Sequence, residues 1–119
     1  LNTLKAGFLQ IRNNEIPIIS IIEGSAASSA TLISMVCHKR YINKHAMMLI
    51  HQISGGFWGK MEEFEDEMKN MKSTMKLIIK IYKKYGQIPD KKLSKLLKKD
   101  IWWRASKCLK MGLVDKVLD

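Results

Sequence analysis

Apolar side chains recur along this chain at two different spacings, and their alternation outlines an α/β fold. Leu1, Leu4, Phe8 and Ile11 stand three or four apart, which is one face of a helix. Asn13, Asn14 and Pro17 close it. Residues 16–22 are a β-branched run that predicts a strand covered on both faces. A small-residue turn follows at 23–29, and helical spacing returns at Ala30, Leu32, Ile33 and Val36. Strand, tight turn and helix in succession is the α/β crossover pattern. Residues 40–42 and 46–51 predict two more strands, and Gly55, Gly56 and Gly59 mark an irregular or extended segment.

Residues 60–85 carry the strongest pattern. Met61, Phe64, Met68, Met71, Met75, Ile78, Tyr82 and Tyr85 alternate steps of three and four, an unbroken heptad seam. Glu62, Glu63, Glu65, Asp66 and Glu67 crowd the first turns and lysines dominate the last, as the helix macrodipole favours. Gly86 supplies the stop. Such a helix packs lengthwise on something, in this chain or in a partner. Pro89 and Asp90 then open a lysine-rich helix with Leu93, Leu96 and Leu97 inward. Residues 105–111 read as a helix stopped by Gly112, and 113–118 as a terminal strand. No internal repeat appears, and 119 residues fit a single domain.

The formal net charge of +10 raises the question of a nucleic-acid partner. Of 21 basic residues, 18 are Lys and 3 are Arg, whereas Arg is the usual reader of bases and phosphates. No aromatic–basic interleaving suited to stacking single strands is present. Nucleic acid is therefore not expected as partner. Two cysteines, Cys37 and Cys108, are too few for a disulfide framework and suit a reducing, cytoplasmic compartment. No apolar run approaches bilayer-spanning length, so no membrane is expected.

Three places could carry chemistry. The turn at 24–29 puts serines at a strand-to-helix junction, where the first N–H groups of the helix can bind an anion. Small residues also appear there simply because a helix packs closely on a sheet. His51 ends an apolar strand, either satisfied by backbone or acting as a general base. Asp100 precedes two tryptophans, either as a cap or as the shielded carboxylate that orients a histidine. A metal reading of Cys37, His38, His45 and His51 matches no closed zinc spacing.

Taken together, the motifs resemble one family. Gly24-Ser25-Ala26-Ala27-Ser28 resembles the G-x-A-A-S nucleophile motif of Clp protease proteolytic subunits. Residues 47–52 look like that family's M-x-I-H-Q motif, and Gly55, Gly56 and Gly59 its substrate-aligning strand. Residues 60–85 are similar to its long handle helix, Asp100-Ile101-Trp102 to its D-x-[FW] segment, and Gly112-Leu113-Val114-Asp115 to its G-L-[VI]-D signature. The resemblance implies a crotonase-like α/β fold and one domain over 1–119. It implies a serine peptidase with Ser28 as nucleophile, His51 as base and acid, and Asp100 as orienting carboxylate. The N–H of Ser29 would be an oxyanion donor, and Ser54, Gly55 and Gly56 would align substrate. It further implies no cofactor, protein or peptide substrates, a homo-oligomeric double ring built through the handles, and an AAA+ unfoldase as partner.

Some features depart from the family pattern. The family's first strands and Gly-Gly loop, source of a second oxyanion donor, have no counterpart here, so either a longer gene product or a poor enzyme is expected. Ser29 stands where methionine is usual and Ile53 where proline often follows. The segment between Ser28 and Lys39-Arg40 is about two residues shorter than in familiar members. Three alternatives remain: a non-catalytic ring subunit, a crotonase-fold enzyme acting on acyl-thioesters, and a serine–lysine peptidase. The complete Ser, His and Asp set disfavours all three.

Overall fold

The computed structural model describes residues 2–27, 29–51 and 59–119. Its elements are α1 (Asn2–Arg12), β1 (Ile19–Ile22), β2 (Ser25–Ala26), α2 (Ser29–Val36), β3 (Lys39–Asn43), β4 (Met47–Ile50), α3 (Met61–Tyr85), α4 (Asp90–Leu96), β5 (Ile101–Arg104), α5 (Ala105–Lys110) and β6 (Lys116–Leu118). One sheet has the order β1-β3-β6, all parallel; the other has the order β2-β4-β5, with β2 parallel and β5 antiparallel to β4. The chain visits both sheets twice in the same sense. β1 bends at Glu23 and Gly24 into β2, α2 carries the chain back, and β3 turns into β4. A parallel return requires such a crossover. At the second bend Asn43 Oδ1 accepts from the His45 N–H at 2.9 Å, a side chain standing in for backbone in a turn.

Met35, Val36, Ile42, Met48, Ile50, Cys108 and Leu113 are fully inaccessible to solvent and form the centre of one core. The 16–22 run is shorter and more open than predicted. Its strand spans only Ile19–Ile22, and Ile19 and Ile21 are 51 % and 54 % exposed while Ile22 is buried. The reason is position. β1 is an edge strand, and side chains that alternate across it find the core on one face alone.

The α3 seam also divides in two. Ile78, Ile81 and Tyr82 are buried, whereas Met61, Phe64 and Met68 are exposed. α2 packs against α3 but has only eight residues, about 12 Å of helix, against about 37 Å for α3. It can cover only part of the seam.

Two side chains collect the helix C-termini. Arg40 Nη1 donates to the carbonyl of Tyr85, which ends α3, at 2.6 Å and to that of Met35 in α2 at 3.5 Å. Its other edge grips Asp115, with Nη2 to Oδ1 at 2.7 Å and Nε to Oδ2 at 3.3 Å. His38 secures α1: its Nδ1 accepts the Ile18 N–H at 3.0 Å, which leaves Nε2 to donate to the Arg12 carbonyl at 2.9 Å. Cations and donors at C-terminal carbonyls are favoured by the macrodipole.

Gly86 ends α3 in extended backbone rather than a left-handed turn. It is needed there for room, since a Cβ would lie 2.8 Å from the Tyr82 carbonyl oxygen. Gly112 does have a left-handed φ of +72°, and a Cβ there would lie 2.9 Å from the Gln87 nitrogen. Gly112→Ala is therefore expected to destabilise by about 1–3 kcal/mol. Gly7→Ala, in the α1 interior with nothing near its Cβ, is expected to stabilise by about 0.5–1 kcal/mol. Urea unfolding of the two variants checks both signs.

Candidate active site

The strand ladder organises the candidate residues. β4 and β5 run antiparallel with Ile50 opposite Ile101. His51 follows Ile50 and Asp100 precedes Ile101, so the two residues flank the last pair at the same end of the ladder. His51 is half-buried and Asp100 exposed. Their side chains are not in hydrogen-bond or ion-pair contact among the described residues. Catalytic hydrogen bonds are often loose until substrate binds.

The strand-to-helix turn reaches the same end of the sheet. β2 pairs with β4, Ala26 opposite Met48, and the Met47 N–H donates to the Gly24 carbonyl at 3.0 Å. Thr31, nearly inaccessible, holds α2 against this edge. Its hydroxyl donates to the carbonyls of Ala26 at 3.0 Å and Leu49 at 3.1 Å. Ser29 opens α2, so its N–H belongs to the first turn, which has no partner within the helix. Ser28 lies outside the described residues, as do Ser54, Gly55 and Gly56. The register thus leaves His51 and Asp100 at the same end of the ladder, next to the last pair, and the Thr31 bridge fixes residues on either side of Ser28 beside Leu49. Sequence reasoning did not single out Thr31. Its only sign there was a hydroxyl residue in the first turn of a helix that also carries Ser29 and Ser34.

Other reactive groups are occupied elsewhere. Cys108 Sγ donates to the Trp103 carbonyl at 3.5 Å, and burial pushes its thiol up to about 11. Its thiolate is scarce at neutral pH, so Cys108 is expected to resist iodoacetamide in the folded protein and to react once the chain is unfolded. Mass spectrometry of alkylated peptides reads this directly. Burial also raises Cys37, partly offset by Arg40, and its Sγ donates to the Ile33 carbonyl at 3.2 Å. His38 spends both ring nitrogens on backbone. Among the described residues, no three His, Cys, Asp or Glu side chains cluster as metal ligands, and no helix is long and apolar enough to cross a membrane.

Comparison with known proteins identifies the family. The Clp protease family matches residues 7–119. The ATP-dependent Clp protease proteolytic subunit of Deinococcus radiodurans is 30% identical over 105 residues, covering 87% of this chain and 52% of its own length. Subunit 1 of the corresponding protease from Protochlamydia amoebophila is 29% identical, covering 92% of this chain and 55% of its own. Subunit 1 from Chlamydia caviae is 26% identical, covering 98% and 64%. The chain thus spans about half to two-thirds of the length of these relatives. Given a match that runs from α1 to the last residue, this chain belongs to the Clp protease family and shares its crotonase-like α/β fold.

Proposed function

We propose that this chain acts as a serine-type endopeptidase subunit of a self-compartmentalised, ATP-dependent protease that hydrolyses unfolded polypeptides in the cytoplasm. The observation that supports the reading is the pairing of Ile50 with Ile101, the residues next to His51 and Asp100, at the end of the β4–β5 ladder. In this reading Ser28 Oγ attacks the scissile carbonyl while His51 takes its proton. Asp100 orients the imidazole and stabilises the imidazolium. His51 then protonates the leaving amine, and water releases the acyl-enzyme by the same route in reverse. The Ser29 N–H faces the developing oxyanion, and Ser54, Gly55 and Gly56 align the substrate backbone. The exposed half of the α3 seam supports assembly into a homo-oligomeric double ring, with an AAA+ unfoldase delivering substrate.

A non-catalytic ring subunit is the second reading. The lack of contact between the His51 and Asp100 side chains favours it. A fluorophosphonate serine label separates the two. The peptidase reading expects covalent labelling that disappears in Ser28→Ala. Persistent labelling in that variant would assign the nucleophile elsewhere. No labelling, with or without an upstream segment fused to the chain, would favour the structural role.

A further inference from the structure

Charge is distributed on this chain in a way that folding does not explain. Lys92 sits in the first turn of α4, where the helix dipole disfavours a cation. Lys107 of α5 is held below the usual lysine range chiefly by the Lys92 side chain beside it, then by desolvation. Lys95 and Lys110 stand one helical step from these two, on α4 and α5 respectively. None of the four forms an ion pair among the described residues.

The acidic counterpart lies on α3. Glu62, Glu63, Glu65, Asp66 and Glu67 fall within six residues, with no base among them. The pairs Glu62–Asp66 and Glu63–Glu67 are four apart, a like-charge spacing that destabilises a helix. No ion pair to any of the five is present among the described residues. Met61 and Met68 beside them are 73 % and 44 % exposed.

Within one chain no ion pair joins these two surfaces among the described residues. The Lys83–Asp90 bridge, 3.7 Å long, sets the start of α4 beside the C-terminal end of α3. Glu67 lies sixteen residues back along the helix from Lys83, about 24 Å.

We propose that the acidic first turns of α3 from one copy dock against Lys92, Lys95, Lys107 and Lys110 of a second copy. In a two-fold arrangement both contacts form at once, since each copy carries both surfaces. Five carboxylates without bases then face four ammonium groups without acids, and each surface relieves the other's repulsion. This rests on the oligomeric reading above but adds a residue-level contact that the apolar seam alone does not specify. An acidic surface of this same chain is favoured over nucleic acid because the four cations are lysines, which lack the guanidinium fork that phosphate draws on.

The test joins crosslinking with charge exchange. The purified chain, nuclease-treated, is reacted with a zero-length carbodiimide at about 50 mM salt, with heavy- and light-isotope copies mixed. Expected are mixed-isotope crosslinks between the 62–67 peptide and those bearing Lys92 or Lys107. In sedimentation, Lys92→Glu/Lys107→Glu is expected to weaken self-association at least tenfold. Glu62→Lys/Glu63→Lys is expected to do the same alone, and an equimolar mixture of the two variants is expected to associate again. Association without these crosslinks, or without recovery in the mixture, overturns the contact and leaves the oligomer standing. A monomer at every concentration overturns both. Association lost on nuclease treatment assigns the lysines to nucleic acid and overturns the proposal.

Discussion

Replacing His51 by alanine is expected to lower kcat for peptide hydrolysis by about 10⁶-fold in the assembled protease, since loss of the base in a serine triad costs about that much. Asp100→Asn is expected to cost about 10⁴-fold, because an amide leaves the imidazole in the wrong tautomer. The two effects should not add. In Asp100→Asn the base is already misoriented, so the double variant is expected to match His51→Ala alone. KM should change little in each, as neither side chain is assigned to hold substrate. Single-turnover hydrolysis of a fluorogenic peptide by the assembled protein measures all three. A loss below tenfold for His51→Ala would remove it from the chemistry. Non-interacting losses would mean that the shared ladder end does not couple the two residues.

Arg40→Ala is expected to be the most damaging single change to the fold, at about 3 kcal/mol, the lower end for breaking a buried ion pair. The low end applies because the Arg40 side chain is 13% exposed but that of Asp115 is 44% exposed and partly solvated. The change also frees the Tyr85 carbonyl and removes a cation from two helix C-termini. For a chain of this length the melting temperature should fall by about 10 °C. Calorimetry of the variant tests this. A fall below about 2 °C would mean that water replaces the guanidinium without cost.

The same pair sets a pH dependence. The Arg40 hydrogen bond, more than burial opposes it, holds the Asp115 carboxyl below the usual carboxylate range. Its contribution is therefore complete above about pH 4, the ordinary aspartate value, and is lost as pH falls through the lower folded-state value. Below pH 4 the wild type should lose stability faster than Asp115→Asn does.

Much of this organisation was legible before folding. The spacing of apolar residues located α1, α2, α3 and α5, and the runs at 40–42 and 46–51 fell within one or two residues of β3 and β4. These features are local. A helix shows its face through a period of 3.6, and a cap or stop acts on its own turn. The order of the candidate serine, histidine and aspartate was readable for the same reason, as short motifs on recognisable junctions. The misreading of residues 16–22 had the opposite origin. A β-branched run states a preference for burial but does not say how many layers the chain provides, and at an edge strand it provides one.

By itself, then, the sequence determined where helices start and stop, which residues seek the core, and which chemical groups stand at strand ends. Only the tertiary structure decided what those groups meet. The antiparallel register of β4 with β5 pairs Ile50 with Ile101 and so leaves His51 and Asp100 at one end of the ladder. The 75-residue closure between Arg40 and Asp115 and the Thr31 bridge to Leu49 depend on how the two sheets are laid against α2 and α3. The α3 seam is periodic throughout, but its first half is left open because the short α2 ends before it can cover more. Periodicity is a property of the nearest few residues along the chain. Partnership is a property of distance in space, which the chain sets only once every element is packed.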